Sequence, residues 1–130
     1  MNQPSDSPQI LLVGHCVPDA YALRMALGRV APDCEIVFVN DDAALDERKD
    51  QDIMLINRIL DGRFSTQSGL DLIASLPEEQ RSRAALITNL PDPRAKADEL
   101  GAGPGFGKSQ MNGPQARTSV LTLLGRTAQI

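Results

Sequence analysis

The chain has 130 residues, of which 42% are hydrophobic and 23% charged. That is enough for one ordinary domain with a real core and too little for two, and no apolar run approaches the roughly 18 residues that a membrane span needs. Seventeen acidic against 13 basic side chains leave a net charge of −4. The basic residues form no stripe, so neither nucleic acid nor a membrane is expected as a direct partner. The opening MNQPSDSPQ is polar, with no basic region and no long apolar run, so residues 1–8 are expected to be a disordered lead and not a signal peptide. The cytoplasm is then the default location. Cys16 and Cys34 form no C-x-x-C pair and the single histidine, His15, has no further soft ligands near it in sequence, so no metal site is expected.

QILLVG, residues 9–14, is a short apolar run closed by glycine, as expected of a strand buried on both faces of a parallel sheet. Pro18 and Asp19 then start a helix whose inner face carries Leu23, Ala26, Leu27 and Val30. CEIVFVN, residues 34–40, is a second strand, DDAALDERK a short polar helix, and DIMLIN, residues 52–57, a third strand. A long loop, RILDGRFSTQS, leads to a helix with Leu70, Ile73 and Leu76, stopped by Pro77. The fourth strand is AALIT, residues 84–88, and the fourth helix starts at Asp92 and Pro93 and ends at Gly101 as its cap. GPGFGK is the fifth and weakest strand candidate, and residues 114–124 the last helix, with Ala116, Val120, Leu123 and Leu124 inward. Strands alternating with helices at this spacing predict parallel strands joined by right-handed crossovers, with helices on both faces. A site in such a sheet lies at the carboxyl ends of the strands, which hold Gly14 and His15, Asn40 to Asp42, Asn57, Thr88 and Asn89, and Lys108 and Ser109.

One motif competes with that frame. AGPGFGKS, opened by Ala102 and closed by Ser109, satisfies a relaxed phosphate-binding loop pattern, in which backbone N–H groups wrap phosphates and the Lys and Ser serve phosphate and Mg²⁺. A working loop of this kind joins a buried strand directly to a helix N-terminus. Here a helix precedes it, QMNGP breaks the chain after it, and only 21 residues follow Ser109, too few for the strand and acidic residue that hold Mg²⁺. A nucleotide hydrolase is therefore the minor alternative, distinguished by whether Lys108 and Ser109 open a helix.

The order of elements resembles the receiver domain of bacterial two-component response regulators, from Gln9 to Leu124. In that family a Thr or Ser ends the fourth strand, a Gly-Ala-Gly-like turn closes the following helix, and a Lys ends the fifth strand. The matching features are LIT ending at Thr88, LGAG at residues 100–103, and Lys108. The resemblance implies a three-layer α/β/α sandwich, a flavodoxin-like, doubly wound, five-stranded parallel sheet of order 2-1-3-4-5. The receiver-like domain is expected over residues 9–125, with 126–130 as a tail.

The family also implies two acidic residues closing the first strand and a phosphate-accepting Asp closing the third, together holding Mg²⁺. Those positions carry Gly14, His15 and Asn57. An amide is a poor nucleophile and a neutral ligand, so aspartyl phosphorylation, Mg²⁺, any cofactor and any enzymatic activity are not expected. The loop after Asn57 is about four residues longer than usual and the second helix about one turn shorter. Phe106 stands one place out of step with the family's switch aromatic, whose position is Gly105, and Ser109 replaces the usual Pro. The expectation is a pseudo-receiver, a phosphorylation-independent interaction module of bacterial signalling. A receiver phosphorylated at Asp61 is the alternative, and it requires the long loop to fold back beside Lys108.

For the individual residues, Thr88 is either a strand-end hydroxyl or retains a switching role. Lys108 either pairs with Asp19, Asp41, Asp42 or Asp61 or extends to water. His15 is expected to be an exposed loop histidine, with a near-neutral sensor as the alternative. Asn57 is expected to hydrogen-bond the loop backbone and lock one conformation. Cys16 and Cys34 are expected at opposite ends of the sheet and unpaired. The resemblance implies signalling partners, a histidine kinase or an output protein. It also points to a homodimer through the fourth helix, fifth strand and fifth helix, with Gly105 and Phe106 at the centre, because an unprotected edge needs covering.

Overall fold

The structure, a computed structural model, describes residues 8–126; the expected lead up to residue 7 and tail from residue 127 lie outside the described residues. The elements are β1 (Ile10–Val13), α1 (Val17–Val30), β2 (Ile36–Val39), α2 (Asp42–Asp46), β3 (Ile53–Asn57), α3 (Gly69–Ser75), α4 (Glu78–Arg81), β4 (Ala84–Ile87), α5 (Pro91–Glu99) and α6 (Pro114–Leu123). The four strands form one sheet of order β2-β1-β3-β4, all parallel, with Ile10 opposite Ile36 and Ile53, and Met54 opposite Ala84.

Alternation along each strand divides the core in two. Ile10, Leu12, Ile53, Leu55, Ala85 and Ile87 face α1 and α6, while Leu11, Val13, Met54, Ile56, Ala84 and Leu86 face α3 and α5. β1, β3 and β4 therefore read as continuous apolar runs because both faces are covered, and their burial adds to the hydrophobic drive for the fold. Helix α1 starts at Val17 with Pro18 in its first turn, and Ala20, Leu23, Ala26 and Leu27 go into the core. Helix α5 closes as its sequence indicated: Gly101 N–H bonds Asp98 O and Ala102 N–H bonds Ala97 O, the paired closure of a Schellman turn.

Two expectations about elements change. The turn α4, the four residues that follow Pro77, has no signal in the apolar pattern, because EEQR carries no apolar face; Arg81 holds it by donating to Leu76 O and Ala74 O. The fifth strand does not form among the described residues. Residues 103–107 run beside β4 where a fifth strand would lie, but they make one parallel bridge, Phe106 with Ile87. Thr88 N–H donates to Phe106 O at 3.1 Å and Gly103 N–H to Ala84 O at 2.8 Å. The glycines explain why: the backbone passes so close that a Cβ on Gly105 would strike the carbonyl of Leu86. Gly also loses more conformational freedom than any other residue on joining a ladder.

Candidate functional site

The carboxyl edge of the sheet is built around Gly14. Its φ is 72°, a left-handed conformation in which a side chain is strained, and a Cβ there would meet Leu60 Cδ2 at 2.6 Å. Its N–H donates to Val39 O and its carbonyl accepts from Asp61 N–H at 2.9 Å. The long loop, residues 58–68, folds back over the ends of β1 and β2: Arg63 N–H donates to Asn40 O, Asp42 N–H to Arg63 O, and Leu60 N–H to Gln67 O. Leu60 is thereby buried against Gly14. Helix α2 has five residues, and the loop pairs with the chain just before it through a parallel Asp41–Arg63 bridge.

Asn57 sits at the end of β3 and locks that loop, as its chemistry indicated. Its Nδ2 donates to Gly14 O at 3.0 Å and to Ile59 O at 2.8 Å, while Oδ1 accepts from Arg58 N–H at 3.1 Å. Both amide hydrogens are used, which a carboxylate in the same place could not supply.

His15 corrects the sequence reading. It is not an exposed loop histidine but is 3% exposed, with Nε2 donating to Leu55 O at 2.9 Å and a buried Nδ1 without a partner. Burial, the largest influence, lowers its pKa from 6.5 to about 4, opposed by the Leu55 hydrogen bond and aided by the Lys108 charge. A group with that pKa is neutral at physiological pH, so a near-neutral sensor is not what this histidine is.

Lys108 pairs with Asp19, one of its four expected carboxylates, at 2.6 Å. That hydrogen bond is the main reason Asp19 titrates below the usual carboxylate range. Thr88 Oγ1 accepts from Leu90 N–H at 3.2 Å, which makes it the hydroxyl that turns the chain from β4 into α5. Asn89, given no role by the sequence, ties two segments together: Oδ1 accepts from Ser109 N–H and from Ser109 Oγ, both at 3.0 Å.

The same contacts remove the support for a phosphate-binding loop. Lys108 and Ser109 open a three-residue 3₁₀ turn, Lys108–Gln110, and the next helix starts only at Pro114. The N–H groups of Gly103, Gly107, Ser109 and Gln110 all bond within the protein. Asp61 is exposed, with its N–H bonded to Gly14 O, and it does not line the cleft that holds Lys108.

A Mg²⁺ ion of the kind the receiver resemblance implies needs hard anionic oxygens. Gly14 has none, His15 is turned inward, Asn57 is spent on the loop, and Leu60 covers Gly14. Asp41 is occupied capping α2 through Ala44 N–H, and Asp42 accepts from Ser65 N–H. The residues present do not fit the ion. Among the described residues no group of three His, Cys, Asp or Glu side chains is placed to hold any metal.

The expected dimer centre also changes. Phe106 is 0% exposed and packs with Leu23, Ala116, Val120 and Leu123. The ring lies inside the core and offers no apolar centre to a second copy. Cys16, past the end of β1, and Cys34, before β2, lie at opposite ends of the paired strands, as expected. No helix of the described residues is long and apolar enough to cross a membrane.

The fold of this chain, a parallel sheet of order 2-1-3-4 flanked by helices, is similar to that of solved response-regulator receiver domains. The signal receiver domain of a DNA-binding response regulator from Colwellia psychrerythraea 34H is similar over 92% of this chain and 100% of its own, with a TM-score of 0.70 and 16% identity. The phosphorylated cyanobacterial phytochrome response regulator RcpA is similar over 95% of this chain and 97% of its own (TM-score 0.62, 19% identity). A response regulator receiver domain from Rhodospirillum rubrum is similar over 90% and 92% (TM-score 0.60, 18% identity). No protein-family model matches the chain and no curated protein matches it.

Proposed function

We propose that the chain is a receiver-like interaction module of bacterial two-component signalling whose state is not set by aspartyl phosphorylation. It acts in the cytoplasm without enzymatic activity, and its partners are signalling proteins, a histidine kinase or an output protein. The observation that carries this reading is Asn57. The side chain at the end of β3 is an amide whose two N–H groups are bonded to Gly14 O and Ile59 O, under a loop whose Leu60 fills the space beside Gly14. Phosphorylation ordinarily biases a two-state surface. A domain whose acceptor position is locked keeps one surface, which only a partner or ligand with different affinity for two states can shift.

The test is intact-mass measurement after incubation with Mg²⁺ and acetyl phosphate, and with candidate kinases. The wild type is expected to gain no phosphoryl group. The variant Asn57→Asp is expected to gain none either, because Gly14 and His15 still provide no anionic ligand. An acid-labile gain of one phosphoryl group in the wild type overturns the reading, and its position on Asp61 would identify that residue as the acceptor.

A further inference from the structure

β2 is an outer strand of the sheet and the least covered one: Ile36, Val37 and Phe38 are half-buried, whereas β1 and β4 are buried throughout. Its sequence, IVFV, has neither the charge nor the proline with which edge strands deter pairing. The ladder with β1 uses alternate residues, Ile10 N–H donating to Glu35 O and Gly14 N–H to Val39 O, with Ile10 opposite Ile36. In a parallel ladder a residue's N–H and C=O point to the same side and its neighbours' to the other. Glu35, Val37 and Val39 therefore face β1, and Ile36 and Phe38 turn both groups outward. Among the described residues those groups have no partner, and the open stretch ends at Asn40 O, which accepts from Arg63 N–H. The uncovered surface continues on the α1 side of the sheet. Val17, Tyr21 and Met25, spaced one turn apart, are 67%, 54% and 66% exposed, and the Tyr21 ring meets Phe38 edge-on with centroids 5.2 Å apart. On the opposite side, a groove of about 280 Å³ lies over Val37 and Val39 beside the short α2.

We infer that β2 and α1 form a face on which a second copy of this chain binds across a two-fold axis, joining the two sheets into one continuous sheet. Only one antiparallel register pairs both open residues of each copy with those of the other. It sets Ile36 opposite Phe38 of the second copy and Phe38 opposite its Ile36, each pair exchanging N–H and C=O, with the two Val37 residues facing each other at the axis. Glu35 then meets Val39, so no like charges are opposed. The axis is perpendicular to the sheet, and it lays the two α1 helices antiparallel on one face. The apolar stripe is symmetric about Tyr21, so Val17 meets Met25 of the second copy and both leave water. Charge agrees with this arrangement. Asp19 lies in the first turn of α1 and Arg24 and Arg29 in its second half, so antiparallel packing sets each basic half beside the other's acidic turn. A lone peptide strand would satisfy Ile36 and Phe38 but leave the stripe bare. The occupant needs a strand and a helix in this same relation, and this chain carries both. The face is remote from Asn57 in the sheet, with β1 between them, and the inference does not depend on how the acceptor position behaves.

The experiment is sedimentation of the full chain over a concentration series, which is expected to show a monomer–dimer equilibrium. Val17 and Met25 are exposed, so Val17→Glu and Met25→Glu should leave the melting temperature of the monomer unchanged while each weakens dimerisation about tenfold or more. Amide exchange reads the register: protection of Ile36 and Phe38 N–H should rise with concentration, and that of Val37 and Val39, already bonded to β1, should not. In a Cys16→Ser background, Val37→Cys should oxidise to a covalent dimer, because a non-hydrogen-bonded antiparallel pair has Cα atoms about 4.5 Å apart, within disulfide reach. Ala95→Cys, on the exposed side of α5, is the control that should not. A monomer at every concentration, a dimer indifferent to both Glu variants, no gain of protection at Ile36 and Phe38, or cross-linking of Val37→Cys no greater than the control overturns the inference. So does a chain that stays monomeric while a strand or helix of another protein takes this face. Each of these outcomes leaves the phosphorylation test above standing, and a phosphoryl gain in that test leaves the dimer face standing.

Discussion

Burial holds His15 neutral, and that choice has a consequence for stability. Its folded pKa, about 4, lies below the unfolded value near 6.5, so the unfolded chain binds the proton more readily. Stability is then full above about pH 6.5 and falls as the pH drops through that value toward 4, by up to about 3 kcal/mol. Asp19, whose pKa is lowered chiefly by its hydrogen bond to Lys108, adds a further loss at still lower pH. Urea unfolding from pH 8 to pH 4 should show the decline, and His15→Phe should flatten it between pH 6.5 and 4; an equal slope in both proteins would remove His15 as its cause. The Lys108–Asp19 pair is only part-buried, so water screens it, and Asp19→Asn should cost no more than about 1 kcal/mol at pH 7.

At the scale of elements, the segment after Gly103 and the loop after Asn57 exchange what sequence patterning suggests for them. The edge segment is irregular in hydrogen bonding yet rigid in packing, because Phe106 anchors it against α1 and α6. Phe106→Ala should therefore cost about 3–5 kcal/mol, measured by denaturant midpoint. Phe106→Glu should unfold the domain; a folded Phe106→Glu variant would show that the ring is not core. The loop is polar in composition but is held by Leu60 and by backbone bonds to Gly14 and Asn40. Leu60→Ala should loosen it, at about 2–4 kcal/mol, and speed amide exchange at residues 60–63 more than at α6. Uniform acceleration across the chain would mean that the loop opens only with global unfolding.

For the whole molecule, stability should follow the sheet order. β1 and β3 each have a strand on both sides, so their amides should exchange at or near the rate of global unfolding. Amides at residues 105–107, beside a single bridge, should exchange much faster. Comparable protection at the two places would indicate a fifth strand in solution.

Much of this was legible in the residues themselves. Four apolar runs, Pro18, Pro77 and Gly101 placed the sheet and most helices, and the absence of carboxylates at Gly14, His15 and Asn57 was visible directly, because periodicity and chemical type are local properties. Lys108 with Asp19 and the Asn57 bonds to the loop were within reach for the same reason: charge and amide chemistry limit the possible partners. What only the tertiary structure decided depends on residues far apart in the chain. The roles of His15 under β3, Phe106 among α1 and α6, and Leu60 against Gly14 depend on which space the neighbouring elements leave open. An apolar pair, Ile59 and Leu60, in an otherwise mostly polar loop was the sole sequence signal for that plug. The cleft lined by Asn57, Arg58, Thr88 and Lys108 likewise forms only where the ends of β3 and β4 meet the segment before α6. No local pattern encodes it, since it is set when separate segments meet at one edge of the sheet.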